Sequence, residues 1–127
     1  MLNVLIVDDS GLTRKAIRRI LDMIGLQIGQ VQEAENGREA LAILRAGGID
    51  LVLADLNMPE MGGIEMIYHM RGEEATKSIP VVVISTESST TRIEGLLANG
   101  AKDYLHKPFT PEQVKGVIER TLGVTQP

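Results

Sequence analysis

Three short runs in this chain are wholly apolar: Val4-Leu5-Ile6-Val7, Leu51-Val52-Leu53-Ala54 and Val81-Val82-Val83-Ile84. Each is aliphatic and rich in β-branched residues, and each stops at a polar residue: Asp8, Asp55 and Ser85. A run with no polar alternation has no face to offer water, so as a strand it must be covered on both sides. Parallel strands with helices packed above and below meet that condition. Two further candidates, Gln30-Val31-Gln32-Glu33-Ala34 and Asp103-Tyr104-Leu105-His106-Lys107, mix polar with apolar residues. Edge strands tolerate such a mixture because they need less apolar cover.

Between these segments apolar residues recur at helical spacing. Leu12, Ala16, Ile17, Ile20, Leu21 and Ile24 form one stripe, with Arg14, Lys15, Arg18 and Arg19 off it. A second helix is predicted over Gly37 to Ala46, with Asn36 as its N-cap and Gly47 as its stop. The third runs from about Gly63 to Met70 on the spacing Ile64, Ile67, Tyr68, and the fourth carries Ile93, Leu96 and Leu97 and stops at Asn99-Gly100. The last opens with Thr110-Pro111-Glu112-Gln113: a cap, a proline at the first helical position and a glutamine placed for a capping box. Five β-α units with right-handed crossovers give an α/β fold, a doubly wound five-stranded parallel sheet of order 2-1-3-4-5, flavodoxin-like, with the two polar strands on its edges. A barrel cannot close from five units. Residues 1–122 form one domain in this reading, and 123–127 a flexible C-terminal end or a truncated linker.

Composition narrows the function. The 127 residues suffice for one domain with a real core. There is no cysteine, so disulfide and thiolate chemistry are excluded, which suits the cytoplasmic location expected here. The net charge is −4, and the aromatic residues are Tyr68, Tyr104 and Phe109, so the basic, stacking surface that nucleic-acid binding requires is missing. No apolar stretch reaches membrane-spanning length. A monomer that contacts neither nucleic acid nor membrane is expected.

In open α/β sheets, ligands bind beyond the carboxyl ends of the strands, where the strand order reverses. For this order that point lies between the first strand, which ends in Asp8-Asp9, and the third, which ends in Asp55. One such aspartate alone would read as a helix cap or turn residue. Three at one crevice repel, by roughly 4 kcal/mol per pair about 4 Å apart at an effective dielectric near 20. The cluster must therefore be partly protonated or hold a cation, and an all-oxygen acidic site favours Mg²⁺. Ser85, at the end of the fourth strand, adds a hydroxyl, and Lys107, at the end of the fifth, adds an ammonium. Together they supply the donor and the cation that a phosphoryl group on a carboxylate needs.

The set Asp8-Asp9, Asp55-Leu56-Asn57-Met58-Pro59 with Gly62-Gly63, Ser85-Thr86-Glu87 and Lys107-Pro108-Phe109 resembles the response-regulator receiver domain, above all its stand-alone chemotaxis (CheY-like) type. The resemblance implies a phosphoacceptor switch of two-component systems, in which Asp55 takes a phosphoryl group from a sensor histidine kinase or a phosphotransfer protein. It implies that Asp9 and Asp55 ligate Mg²⁺ (Mn²⁺ being the alternative ion) through their side chains, Asn57 through its backbone carbonyl and Asp8 mostly through water. Lys107 would pair with the phosphoryl oxygens, and the Lys107–Pro108 bond would be cis. Tyr104 stands at the family's switch position, and Ile93, Leu97, Tyr104 and His106 would form the face read by a downstream target such as the flagellar motor switch. Asn57 and Glu87 would tune dephosphorylation by controlling the attacking water. By this reading the chain is no enzyme toward other molecules and catalyses only its own phosphorylation and dephosphorylation. Three alternatives stand beside it. One is a receiver domain cut from a larger response regulator or hybrid kinase. Another is a Mg²⁺-dependent aspartyl phosphatase of the haloacid-dehalogenase type, which would need a second Asp where this chain has Asn57. The third is a flavin carrier, which lacks its phosphate loop here.

Overall fold

The computed structural model describes residues 1–123. Its elements alternate throughout: β1 (Leu2–Val7), α1 (Gly11–Met23), β2 (Ile28–Ala34), α2 (Gly37–Ala46), β3 (Leu51–Ala54), α3 (Gly63–Arg71), β4 (Val81–Ser85), α4 (Thr90–Ala98), β5 (Asp103–His106) and α5 (Pro111–Leu122). The strands form one sheet of order β2-β1-β3-β4-β5, and every pairing is parallel. The two strands of mixed polarity occupy the edges, and the three apolar runs fill the centre, where all their residues are buried.

Strand alternation divides the core into two layers. Leu5, Val7, Val52, Ala54, Val81 and Val83 face α2, α3 and α4, meeting Leu41, Leu44, Met66, Met70 and Leu96. Val4, Ile6, Leu51, Leu53, Val82 and Ile84 face α1 and α5, meeting Ile17, Leu21, Val114 and Ile118. The helix ends are closed by the residues the sequence offers for it. Asn36 accepts from the Glu39 N–H to start α2, and Thr110 and Gln113 form the reciprocal capping box of α5 behind Pro111. Gly123 ends α5 in the left-handed region at φ 67°. Of the expected C-terminal end, residues 124–127 lie outside the described residues. Among those described, no helix is long and apolar enough to cross a membrane.

The α1 stripe is shorter than expected, Leu12 and Ala16 at its start being exposed, and the α3 stripe is rotated. Leu12, assigned to the buried face of α1, is 82% exposed, while Ile17, Leu21 and Ile24 are buried. It sits in the first turn of a helix that begins beyond the end of β1, where no strand lies beneath it. In α3 the spacing Ile64, Ile67, Tyr68 gives way to Gly63, Met66, Ile67, Met70, and Tyr68 is 74% exposed. Both sets fit helical periodicity. The choice follows from Gly63, which lies so close to Asp55 that an added Cβ would stand 2.5 Å from the Asp55 carbonyl oxygen.

Register then delivers the ends of the strands to one another. Val7 pairs with Ala54, and the Asp55 N–H donates to the Val7 carbonyl at 2.9 Å, so Asp8 and Asp55 leave the sheet side by side. Ser85 pairs with His106, and the Lys107 N–H donates to the Ser85 carbonyl at 2.8 Å.

Candidate functional site

The β1–α1 turn is tied at several points. Asp8 is buried, and its Oδ1 accepts from the Ser10 N–H at 2.9 Å; Ser10 in turn caps α1 by accepting from the Thr13 N–H at 3.2 Å. Arg14 reaches back from the helix, donating from Nη1 to the Asp8 carbonyl at 2.6 Å and from Nε to Glu33 on β2 at 2.8 Å. Arg18 takes the other Glu33 oxygen at 2.9 Å. Arg14 first, then Arg18, hold the Glu33 carboxyl below the usual carboxylate range, although burial opposes them. The sequence shows Arg14 only as a residue off the apolar stripe of α1. Its contact with Asp8 was missed because the six-residue separation spans a strand end, a turn and a helix start, and no local pattern encodes it.

Asp55 is half-buried opposite this turn, with Oδ1 accepting from the Leu56 N–H at 2.8 Å. Carboxylate oxygens of Asp8, Asp9 and Asp55 lie within 4.8 Å of one another. Lys107 extends from the end of β5 and places Nζ 3.2 Å from Asp8 Oδ2 and 3.5 Å from Asp55 Oδ2. Burial pushes the Asp55 carboxyl above its ordinary value, and the Asp8 charge adds to that. The Lys107 charge and the Leu56 N–H pull it back without cancelling the rise. Asp9 and Asn57 stand exposed at the mouth. The peptide bond between Lys107 and Pro108 is cis.

Ser85 is buried on the adjoining strand end, and its Oγ accepts from the Glu87 N–H at 3.1 Å. Tyr104 is turned inward from β5, so that its hydroxyl donates to the Ser85 carbonyl at 2.9 Å and also to the Glu87 carbonyl. Burial raises the Tyr104 phenol above its ordinary value, so it stays protonated and serves as a donor. Glu87 presents its backbone to Ser85 and Tyr104, whereas its carboxylate turns toward α4: Oε1 is 2.7 Å from Arg92 Nε, and Oε2 accepts from the Ser88 N–H at 3.1 Å. Arg92 is a second residue that sequence reasoning passed over. Ile93 is half-buried, and Leu97 and His106 are exposed, on α4 and β5 next to Tyr104.

The structure thus brings Asp8, Asp9, Asp55 and Lys107 into one cluster, with Ser85 at the adjoining strand end and Asn57 at the rim. Three carboxylates converging within ligand range form a hard, all-oxygen donor set, the kind that suits Mg²⁺. The Lys107 ammonium beside two of them supplies a positive charge for an incoming anion.

A model of the response regulator receiver domain family matches residues 4–119. The chain is 37% identical over 123 residues to the chemotaxis protein CheY1 of Helicobacter pylori, covering 96% of this chain and 98% of that protein. Its backbone resembles the chemotaxis response regulator CheY4 of Vibrio cholerae with a TM-score of 0.85 at 35% identity, over 95% of this chain and 98% of that one. It also resembles the signal receiver domain of a signal transduction histidine kinase from Syntrophus aciditrophicus, with a TM-score of 0.84 at 30% identity, over all of this chain and 95% of that one.

Proposed function

The chain belongs to the response regulator receiver domain family, and on that footing we propose that it is a chemotaxis-type phosphoacceptor switch whose acceptor is Asp55. The observation that carries this reading is the convergence of three carboxylates with the Lys107 ammonium at the point where the strand order reverses. Asp55 is the one carboxylate of the three that stands beside both Asp8 and Lys107 and remains partly open to solvent.

A carboxylate oxygen of Asp55 attacks the phosphorus of a phosphohistidine in line with the phosphorus–nitrogen bond, which breaks as the new phosphorus–oxygen bond forms. Lys107 follows the charge that builds on the phosphoryl oxygens, and its ammonium is already placed by Asp8. The Ser85 hydroxyl, with a lone pair occupied by the Glu87 N–H, offers its hydrogen to one of those oxygens. Asp9 and Asp55 through carboxylate oxygens, Asn57 through its carbonyl and Asp8 through water would hold Mg²⁺, which when bound supplies further charge neutralisation at the phosphoryl group. No general base is needed, because the attacking carboxylate is the ionised form. The product is a mixed anhydride, and water admitted past Asn57 and Glu87 returns it to the free carboxylate. The chain acts on no other substrate. Its donor is a sensor histidine kinase or a phosphotransfer protein in the cytoplasm, and its target reads the face made by Ile93, Leu97, Tyr104 and His106.

The likeness to a receiver domain of a histidine kinase supports a second reading of the setting but not of the chemistry, in which the same switch is one part of a larger protein. A phosphatase of the aspartyl type is disfavoured by Asn57, which offers an amide where that chemistry needs a carboxylic acid. The test is phosphorylation by acetyl phosphate with Mg²⁺, followed by intact mass. The wild-type chain should gain one phosphoryl group, and Asp55→Asn should gain none. Labelling of Asp55→Asn at the wild-type rate would overturn the assignment.

A further inference from the structure

The Ser85 hydroxyl is buried, and among the described residues its hydrogen bond is as acceptor from the Glu87 N–H at 3.1 Å. A serine hydroxyl rotates freely about its Cβ, so the direction in which it offers its hydrogen depends on what occupies its lone pairs. The placement of the Glu87 N–H therefore sets the aim of Ser85. Glu87 has no regular secondary structure to hold it, since β4 ends at Ser85 and α4 begins at Thr90. It is held from three sides. Tyr104 donates to its carbonyl, the Ser88 N–H donates to its Oε2 at 3.1 Å, and Arg92 grips its Oε1 at 2.7 Å. Of the three, Arg92 is the one whose side chain reaches Glu87 from a helix already formed, and it makes no ion pair with Asp8, Asp9 or Asp55.

We infer that Arg92 is a positioning residue for the phosphoryl site: through Glu87 it fixes the amide that orients the Ser85 hydroxyl toward a phosphoryl oxygen on Asp55. This rests on the receiver reading above and adds to it a residue that touches neither metal nor phosphoryl group. The Arg92 side chain is 71% exposed, so the effect it transmits is modest.

The experiment uses beryllofluoride as the phosphoryl analogue, titrated calorimetrically in the presence of Mg²⁺, with Mg²⁺ alone titrated in parallel. Arg92→Ala should weaken beryllofluoride binding by about two- to fivefold, the range an exposed ion pair can carry, and leave the affinity for Mg²⁺ alone unchanged. Arg92→Lys should recover most of the loss. In a Ser85→Ala background, Arg92→Ala should have no further effect, which a general loosening of α4 would not produce. Equal beryllofluoride affinity for wild type and Arg92→Ala would overturn the inference. So would a full effect that persists without the Ser85 hydroxyl, or an equal loss of affinity for Mg²⁺. Failure of the wild type to bind beryllofluoride, or equal binding by Asp55→Asn, would instead bring down the receiver reading itself.

Discussion

Asp55 carries opposed demands. As the proposed acceptor it must be ionised to attack phosphorus, yet burial and the neighbouring Asp8 charge favour its protonated form, and Lys107 only partly compensates. The sign of the consequence is fixed by linkage. A carboxyl whose pKa is raised on folding binds its proton more tightly in the fold than in the unfolded chain. Below the unfolded value, near about 4, the group is protonated in both states and costs nothing; as pH climbs through the raised folded value, stability is lost. Asp55→Asn removes that cost. Without divalent metal, its melting temperature should exceed that of the wild type near neutral pH, and the gap should close below about pH 3.5. Thermal melts across this range check it, and equal melting temperatures at neutral pH would show that Lys107 cancels the penalty entirely. Phosphorylation by acetyl phosphate should fall on acidification through the same raised value.

At the scale of elements, the site depends on how closely α3 approaches the end of β3. An ideal Cβ on Gly63 would stand 2.5 Å from the Asp55 carbonyl oxygen, and one on Gly62 would stand 2.5 Å from that of Leu56. Backbone on both sides leaves no flexible side chain to yield. Gly63→Ala should therefore shift the Asp55 peptide, lowering stability by about 1–3 kcal/mol, as overpacking does, and weakening Mg²⁺ binding alongside. Urea unfolding and metal titration read the two effects, and an unaltered protein on both counts would show that the loop yields without cost. The Gly62-Gly63 pair was visible in the sequence, and so were the apolar strands, because a strand buried on both faces leaves an uninterrupted run. The face of α3 was less legible. Helical spacing fits Ile64 and Tyr68 as well as Met66 and Met70, and the rotation observed is the one that brings Gly63 against Asp55 across the β3–α3 turn. The same limit hid Arg14 and Arg92. Each finds its partner across a change of element, and a lone surface arginine carries no periodicity.

At the scale of the whole molecule, the sheet spends its apolar residues on two complete core layers and gathers its unfavourable charge at one end. Three carboxylates meet there and the Lys107 ammonium pairs with two of them, Asp8 and Asp55, so the metal-free fold bears a repulsion that the unfolded chain, with Asp9 and Asp55 far apart, does not. A divalent cation held by these oxygens binds the folded state and has no comparable site in the unfolded one. Stability must then rise with its concentration as RT ln(1 + [L]/Kd), about 2.7 kcal/mol at a hundredfold excess over Kd. In a domain of this size that corresponds to a melting temperature higher by on the order of 10 °C. Screening of the chain's net charge of −4 could also raise it, and two controls separate the causes. NaCl at matched ionic strength screens without being ligated, so it should give a much smaller rise. Asp9→Ala changes the net charge only from −4 to −3 but removes a proposed direct ligand, so its rise with Mg²⁺ should shrink to about that of the salt control. If Asp9→Ala responds to Mg²⁺ as the wild type does, the metal is held elsewhere, and the carboxylate cluster would be left with Lys107 alone to balance it.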